Sequence, residues 1–369
     1  MSSEALPDYF NYVPRPVAPP AEMLRHYLTS TGGGAPQTGG AKAEFSIPCS
    51  NPGLHLDPSQ TVLSFQINNN NNTGPMTLDG GAHAIIQSIN VFFGSVHISS
   101  IDEYGALFAL TQDFTTDLDS LRSSGTVRGV ADFLPGGVAT LANIKDVYYS
   151  RNGATIAASG SLMVALPLMS VLGTLAMKAL PLSQLQDSIK LEIKWATQTN
   201  WGTFADAASA ISGCTVSDIK LHISQVRLDG AVERAMMDSL GGIVHCPTLD
   251  YSHFRSTVAP NTGFINMQIP IHTAINCTGS AAEARFELAR TFGSGVSDAS
   301  ARSCISAEQF LTDGRFRRLM LSLTVSLPAT CVVFESKISA SNPACYLDVW
   351  VQHEKLIVCQ NGLMTYEEA

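Results

Sequence analysis

The stretch SIKLEIKW, residues 188–195, alternates polar and apolar side chains without a break. On a β-strand successive side chains point to opposite faces. Ile189, Leu191, Ile193 and Trp195 therefore share one face, and Ser188, Lys190, Glu192 and Lys194 the other. The pattern recurs in TVLSFQI (Leu63, Phe65, Ile67), DIKLHI (Ile219, Leu221, Ile223), FINMQIPI (Ile265, Met267, Ile269, Ile271) and LMLSLTVSL (Leu319 to Leu327). CVVFESKI and YLDVWVQ close the series. Many strands with one apolar face, separated by Gly, Asn and Pro turns, predict antiparallel β-sandwiches.

Helical signals are few. SIDEYGALFALTQDF carries Ser100 and Glu103 in S-x-x-E spacing, which predicts a capping box ahead of Ile101, Tyr104, Leu107 and Phe108. Residues 181–188 predict a short proline-opened turn of helix, and residues 306–311 a third candidate. The run Asn68 to Asn72 follows a clear strand pattern. Asparagine tolerates turn conformations, so the run predicts an exposed loop at one end of a sandwich, tolerant of deletion.

The chain has 369 residues, enough for about two domains. Charged residues make up 14%, against about 25% in ordinary domains. Such a surface is poor in charge and suits packing against copies of itself. Net charge is −9, with only Arg315, Arg317 and Arg318 locally clustered. That argues against sequence-specific nucleic-acid binding or a main role in neutralising phosphates. The most apolar stretch, residues 162–182, is interrupted by Pro167, Pro181, Ser170, Thr174 and Lys178 and falls short of a membrane span.

No catalytic signature is present: a nucleophile elbow, a P-loop and a dinucleotide fingerprint are all missing. Nine histidines show no H-x-H or H-x₃-H spacing, so no metal site and no cofactor is expected. His245-Cys246 is the nearest approach to a Cys/His pair and lacks an orienting third group. Asp102, Glu103, Asp117 and Asp119 read as surface charges around the helix. Eight scattered cysteines without a CxxC pair, behind an N-terminus with no secretory pattern, predict buried thiols in a reducing compartment. The sequons at Asn71 and Asn276 are then not expected to meet the glycosylation machinery.

The expected organisation is an extended N-terminal arm (1–41), a first β-domain (42–230), and a linker with a second β-domain (231–369). The arm is Pro-rich, NYVPRPVAPP, and ends in the Gly-rich hinge TGGGAPQTGGA. Tyr9, Phe10 and Tyr12 are its candidate interface anchors, since aromatic groups bury large areas at small entropic cost. An internal echo supports two copies of one domain. TSTGGGAPQTGGAKAEFSIP (29–48) and RSTVAPNTGFINMQIP (255–270) each read Ser-Thr, loop, then a strand ending in Ile-Pro.

Four segments carry a resemblance: LHLDPSQTVLSFQI (54–67), AIIQSINVFFGSVHISSIDEYGALFALTQDF (84–114), LPLMSVLGTLAMKALPLSQLQDSIKLEIKWA (166–196), and DIKLHISQVRLDGAVERAM with FRSTVAPNTGFINMQIPI. In order and spacing they resemble the double-jelly-roll major capsid proteins of tailless icosahedral double-stranded DNA viruses, particularly the small polinton-like members. The resemblance covers roughly residues 44–290. It implies an all-β chain of two tandem eight-stranded jelly rolls with a few short helices. It further implies a pseudo-hexameric homotrimer tiling an icosahedral virion shell, with no enzymatic activity. Neighbouring capsomers are the implied partners, and minor capsid or penton proteins and an inner membrane are further ones it admits. Three rivals remain at this point: the coat protein of a small RNA or single-stranded DNA virus, a lectin-like jelly-roll binding module, and an enzyme on a β-sandwich. The arm's near-neutral charge, the absent secretory pattern and the missing His and carboxylate clusters weigh against them in that order.

Overall fold

The computed structural model describes residues 21–32, 34–72, 74–115, 125–130, 153–169, 179–204, 213–259, 264–270, 331–337 and 345–368. The first unit contains β1 (Ala21–Thr29), β2 (Lys42–Ile47), β3 (Leu54–Asn69), β4 (Met76–Leu78), β5 (Ile86–Phe93) and β6 (Val96–Asp102). After α1 (Tyr104–Thr115) come β7 (Thr155–Ile156), β8 (Ser161–Pro167), β9 (Leu180–Pro181), β10 (Ile189–Trp195), β11 (Gly202–Phe204) and β12 (Cys214–Leu228). A second helix, α2 (Gly230–Ser239), leads to β13 (Ile243–Val258), β14 (Phe264–Pro270), β15 (Cys331–Lys337), β16 (Cys345–Gln360) and β17 (Leu363–Glu368).

Two antiparallel sheets form the first unit: β1-β12-β3-β8, with β9 beside β3, and β2-β10-β5-β6. Counting only these eight main strands along the chain, the orders are 1-8-3-6 and 2-7-4-5, which is jelly-roll topology. A small sheet β11-β4-β7 stands beside them.

The alternation read from the sequence builds the core. Leu63, Phe65 and Ile67 of β3 are fully buried, as are Leu191, Ile193 and Trp195 of β10. The Phe65 and Trp195 rings meet at 5.3 Å, joining the two sheets. Trp195 Nε1 donates to Gln37 Oε1 at 2.5 Å, so the indole is buried without an orphan donor. One residue departs from the pattern. Glu192 sits on the polar face yet is buried, held by Lys42 Nζ at 3.0 Å and Asn90 Nδ2 at 3.2 Å. On β12 the inward set changes parity, from Val216 to Ile219, Leu221 and Ile223. A bulge between Ser217 and Lys220, with Asp218 at φ 50°, supplies the extra residue that permits this.

Several expectations need correction. Residues 21–29, assigned to the arm, form β1 and pair along their whole length with β12. The capping box does not form. Ser100 lies in β6 and donates to Asn90 Oδ1 at 2.7 Å. The α1 amides of Ala106 and Leu107 bond instead to the Glu103 carbonyl, at 3.0 and 3.2 Å. The asparagine run is not one exposed loop. Asn68 and Asn69 belong to β3, Asn70 and Asn72 are exposed, and Asn69 is fully buried. The turn expected over residues 181–188 is present at Leu182–Gln184. The helix candidate at 306–311, the strand at 319–327 and the arginines at 315–318 lie outside the described residues. Among the described residues no helix is long and apolar enough to cross a membrane. The apolar stretch read above holds β8 and β9.

The described strands of the second unit form two sheets, β13-β16-β17 and β14-β15. The internal echo has a structural counterpart. β1 and β13 each pair antiparallel with a late strand, β12 or β16, and are followed along the chain by β2 or β14.

Candidate functional site

Strand β6 is the outer strand of its sheet, so one row of its backbone groups needs partners from elsewhere. The second unit supplies two of them. Lys355 Nζ donates to the Ile98 carbonyl, and Trp350 Nε1 donates to the Asp102 carbonyl at 3.2 Å. An edge open to pairing thereby becomes an internal junction.

The β13-β16 register builds the rest. Thr248 lies opposite Lys355 and Asp250 opposite His353, so Asp250 and Lys355 are diagonal neighbours. Lys355 Nζ stands 2.7 Å from Asp250 Oδ2, and each side chain is only 7% exposed. The other carboxylate oxygen accepts from Ser99 Oγ at 2.8 Å and from the Tyr251 amide at 3.0 Å. The Tyr366 ring centroid lies 4.0 Å from the ammonium. Both buried charges are thus neutralised and hydrogen-bonded, the condition under which burial of an ion pair is tolerable.

A second group lies along the same two strands. Arg255 is directly opposite Asp348 and His253 directly opposite Trp350. Arg255 grips Asp348 with Nε at 2.6 Å and Nη2 at 3.1 Å, and its Nη1 reaches Glu103 Oε1 at 2.9 Å. His253 Nε2 lies 2.8 Å from Asp348 Oδ1, and its ring stacks on Trp350 at 5.1 Å. Burial alone would raise the Asp348 carboxyl. Hydrogen bonds from His253 and Arg255, with their charges, outweigh it and hold the group below its ordinary 3.8. The sign follows. The unfolded chain takes up the proton first, so Asp348 stabilises the fold above its ordinary value and loses that role as pH falls through the folded one. Wild type should therefore melt higher than Asp348→Asn at pH 7, with the gap closing below about pH 4. A gap that widens on acidification would contradict this account.

The linker is tied down by one carboxylate. Asp229 caps α2, accepting from the Ala231 amide at 2.9 Å. Glu233, buried on that helix, accepts from the Gly53 amide at 2.8 Å and from Ser183 Oγ. Gly53 is at φ 74°, and a Cβ there would lie 2.4 Å from the Leu228 carbonyl, so the position requires glycine. Nearby, Gln186 N donates to the Gly362 carbonyl at 2.9 Å, seating the β16-β17 turn on the first unit.

The described residues contain no group of three His, Cys, Asp or Glu placed to hold a metal. His245 is exposed and Cys246 buried, since adjacent strand residues face opposite ways, and the pair does not converge. Burial raises the Cys359 thiol to about 12, with further raising by Cys246 and Cys49. Such thiols are poor nucleophiles at neutral pH. Tyr9, Phe10 and Tyr12 lie outside the described residues. Glu103, read as a surface charge, is a junction residue. The sequence offered no sign of Ser99, Asp250 or Lys355, which are 151 and 105 positions apart across their two bonds.

No family model and no curated protein matches the chain. Solved structures do. PBCV-1 VP54, a crystal structure fitted into a cryo-EM reconstruction of the virophage Sputnik, aligns with a TM-score of 0.57 at 13% identity over 98% of this chain and 100% of that one. A quasi-atomic model of the PBCV-1 virus capsid gives 0.58 at 12%, over 98% and 100%. The cryo-EM structure of the Sputnik virophage gives 0.50 at 11%, over 100% and 93%. The chain has the double-jelly-roll fold of these viral capsid proteins.

Proposed function

We propose that the chain is a structural major capsid protein, forming pseudo-hexameric homotrimers that tile an icosahedral virus shell. The supporting observation is the end-to-end match to capsid proteins, about 98% of this chain against the whole of PBCV-1 VP54. A single-roll coat protein or a lectin-like module would match over one unit. The low charge content fits a subunit that shares its flanks with copies. The role is architectural, without catalysis or cofactor, and its place is the virion. Tyr9, Phe10 and Tyr12 would anchor the N-terminal segment on a neighbouring capsomer, a minor capsid protein or an inner membrane.

Native mass spectrometry and negative-stain microscopy of purified protein test the reading. Trimers with a hexagonal outline, alone or in closed shells, are expected. A strictly monomeric protein at high concentration would sink it.

A further inference from the structure

Among the described residues, β1 is an outer strand of its sheet, paired on one side only, with β12. The opposite outer strand of its sheet, β8, ends in Pro167, and β6 is capped by Lys355 and Trp350. β1 runs nine residues without a proline, and its pairing with β12 has no register shift. Each residue is exposed except Leu24 and Leu28, which are half-buried. Met23 and Tyr27 are 58% and 56% exposed. Of the usual protections of such an edge β1 has no bulge and no proline, and its two charges, Glu22 and Arg25, are exposed.

We propose that β1 pairs antiparallel with β1 of a second copy about a two-fold axis at Leu24. The register follows from physical constraints. In an antiparallel ladder directly opposed residues bond in the same way. Alternate residues of β1 bond to β12, so only residues of the other parity face outward. Two identical strands must then oppose residues whose numbers sum to an even value. A two-fold at Arg25 sets two guanidinium groups face to face, which is unfavourable. A two-fold at Leu24 opposes Leu24 with Leu24, and Glu22 with His26 twice over. It also sets Ala21 against Tyr27 and Met23 against Arg25, twice each. Seven residue pairs form, with a Glu22–His26 pair on each side of the apolar Leu24 centre. Glu22 already lies 3.3 Å from Arg227 Nη1, on β12, and can accept from both sides. A two-fold at His26 is the competing register and opposes Leu24 with Leu28.

The contact does not depend on the capsid reading. In a free protein it would give dimers.

Cysteine scanning of the full chain tests it. Leu24→Cys oxidised with glutathione disulfide should yield a covalent dimer on non-reducing gels, because the two thiols face each other at the axis. Leu28→Cys and wild type, with its native thiols, should not. Melting curves show whether each variant folds. A second measurement uses no new thiol. Glu22→Lys should weaken two-fold association in sedimentation about tenfold, since two carboxylate–imidazole pairs are lost, and adding His26→Glu should restore it. A Leu24→Cys protein that stays uncrosslinked, or a Leu28→Cys protein that crosslinks as readily, overturns the assignment. So does an edge already protected from amide exchange in isolated monomers, which would mean the chain's own first twenty residues cover it.

Discussion

Lys355→Ala is expected to lower stability by about 3–5 kcal/mol, the usual cost of stranding one member of a buried ion pair. Asp250 would be left 7% exposed beside an empty ammonium site, and the Ile98 carbonyl on β6 would lose its donor. Asp250→Ala should cost a similar amount for the converse reason. The two together should cost less than their sum, because the second substitution removes the charge that the first one stranded. Lys355→Met with Asp250→Leu, which replaces charge by apolar volume, should recover most of the loss. Urea titration of the four variants measures this. Because the residues bridge the two units, the single variants should also broaden the transition, the junction loosening before the first core melts. Additive single effects, or a single variant within about 0.5 kcal/mol of wild type, would show that the pair does not secure the junction.

The second large effect lies in the asparagine run. Asn69 Nδ2 donates to the carbonyls of Gly74, Ile156 and Ala157, at 3.0, 3.3 and 3.1 Å. Its Oδ1 accepts from the Asn71 amide at 3.2 Å. The side chain therefore replaces a sheet ladder at the point where β3 leaves its sheet, tying together two stretches of chain 87 residues apart. Asn69→Ala removes all four bonds at a buried place, although the Ala157 carbonyl keeps the Gly160 amide at 3.0 Å. At about 1–3 kcal/mol for each unsatisfied group, partly relieved by entering water, a net loss near 3 kcal/mol is expected. Asn70→Ala and Asn72→Ala, at exposed positions, should stay within about 0.5 kcal/mol. Deletions confined to Asn70–Asn72 shorten the connection and test the loop. Deletions reaching Asn69 should abolish the folded state. Equal effects at Asn69 and Asn70, measured by thermal and urea denaturation, would remove Asn69 from this role.

Much of the first roll was legible because its strands announce themselves locally. Leu63, Phe65 and Ile67, or Ile189, Leu191, Ile193 and Trp195, need only the two-residue period of a strand to be assigned to a buried face. Such a period is a property of the backbone and requires no knowledge of partners. The same reasoning failed at Glu192, where Lys42 and Asn90 from neighbouring strands make burial of a charge affordable. It failed again at Glu103, whose spacing from Ser100 suggested a capping box while Arg255 and Asn90 claimed the two side chains. β1 was missed for a related reason. AEMLRHYLT buries no face strongly, and its strand conformation comes from β12 rather than from its own pattern.

By itself, then, the sequence determined the β-class of the chain, the inward sets of its main strands, its tandem construction and the absence of any local catalytic signature. These follow from periodicity and composition, which are written in neighbouring residues. Tertiary structure decided where the edges lie and what closes them. It set Lys355 on the rim of β6, brought His253 and Arg255 to one carboxylate, buried two asparagines of five, and left β1 open. Each of these depends on residues tens to hundreds of positions apart meeting at hydrogen-bond distance, and only the folded chain fixes which of them meet.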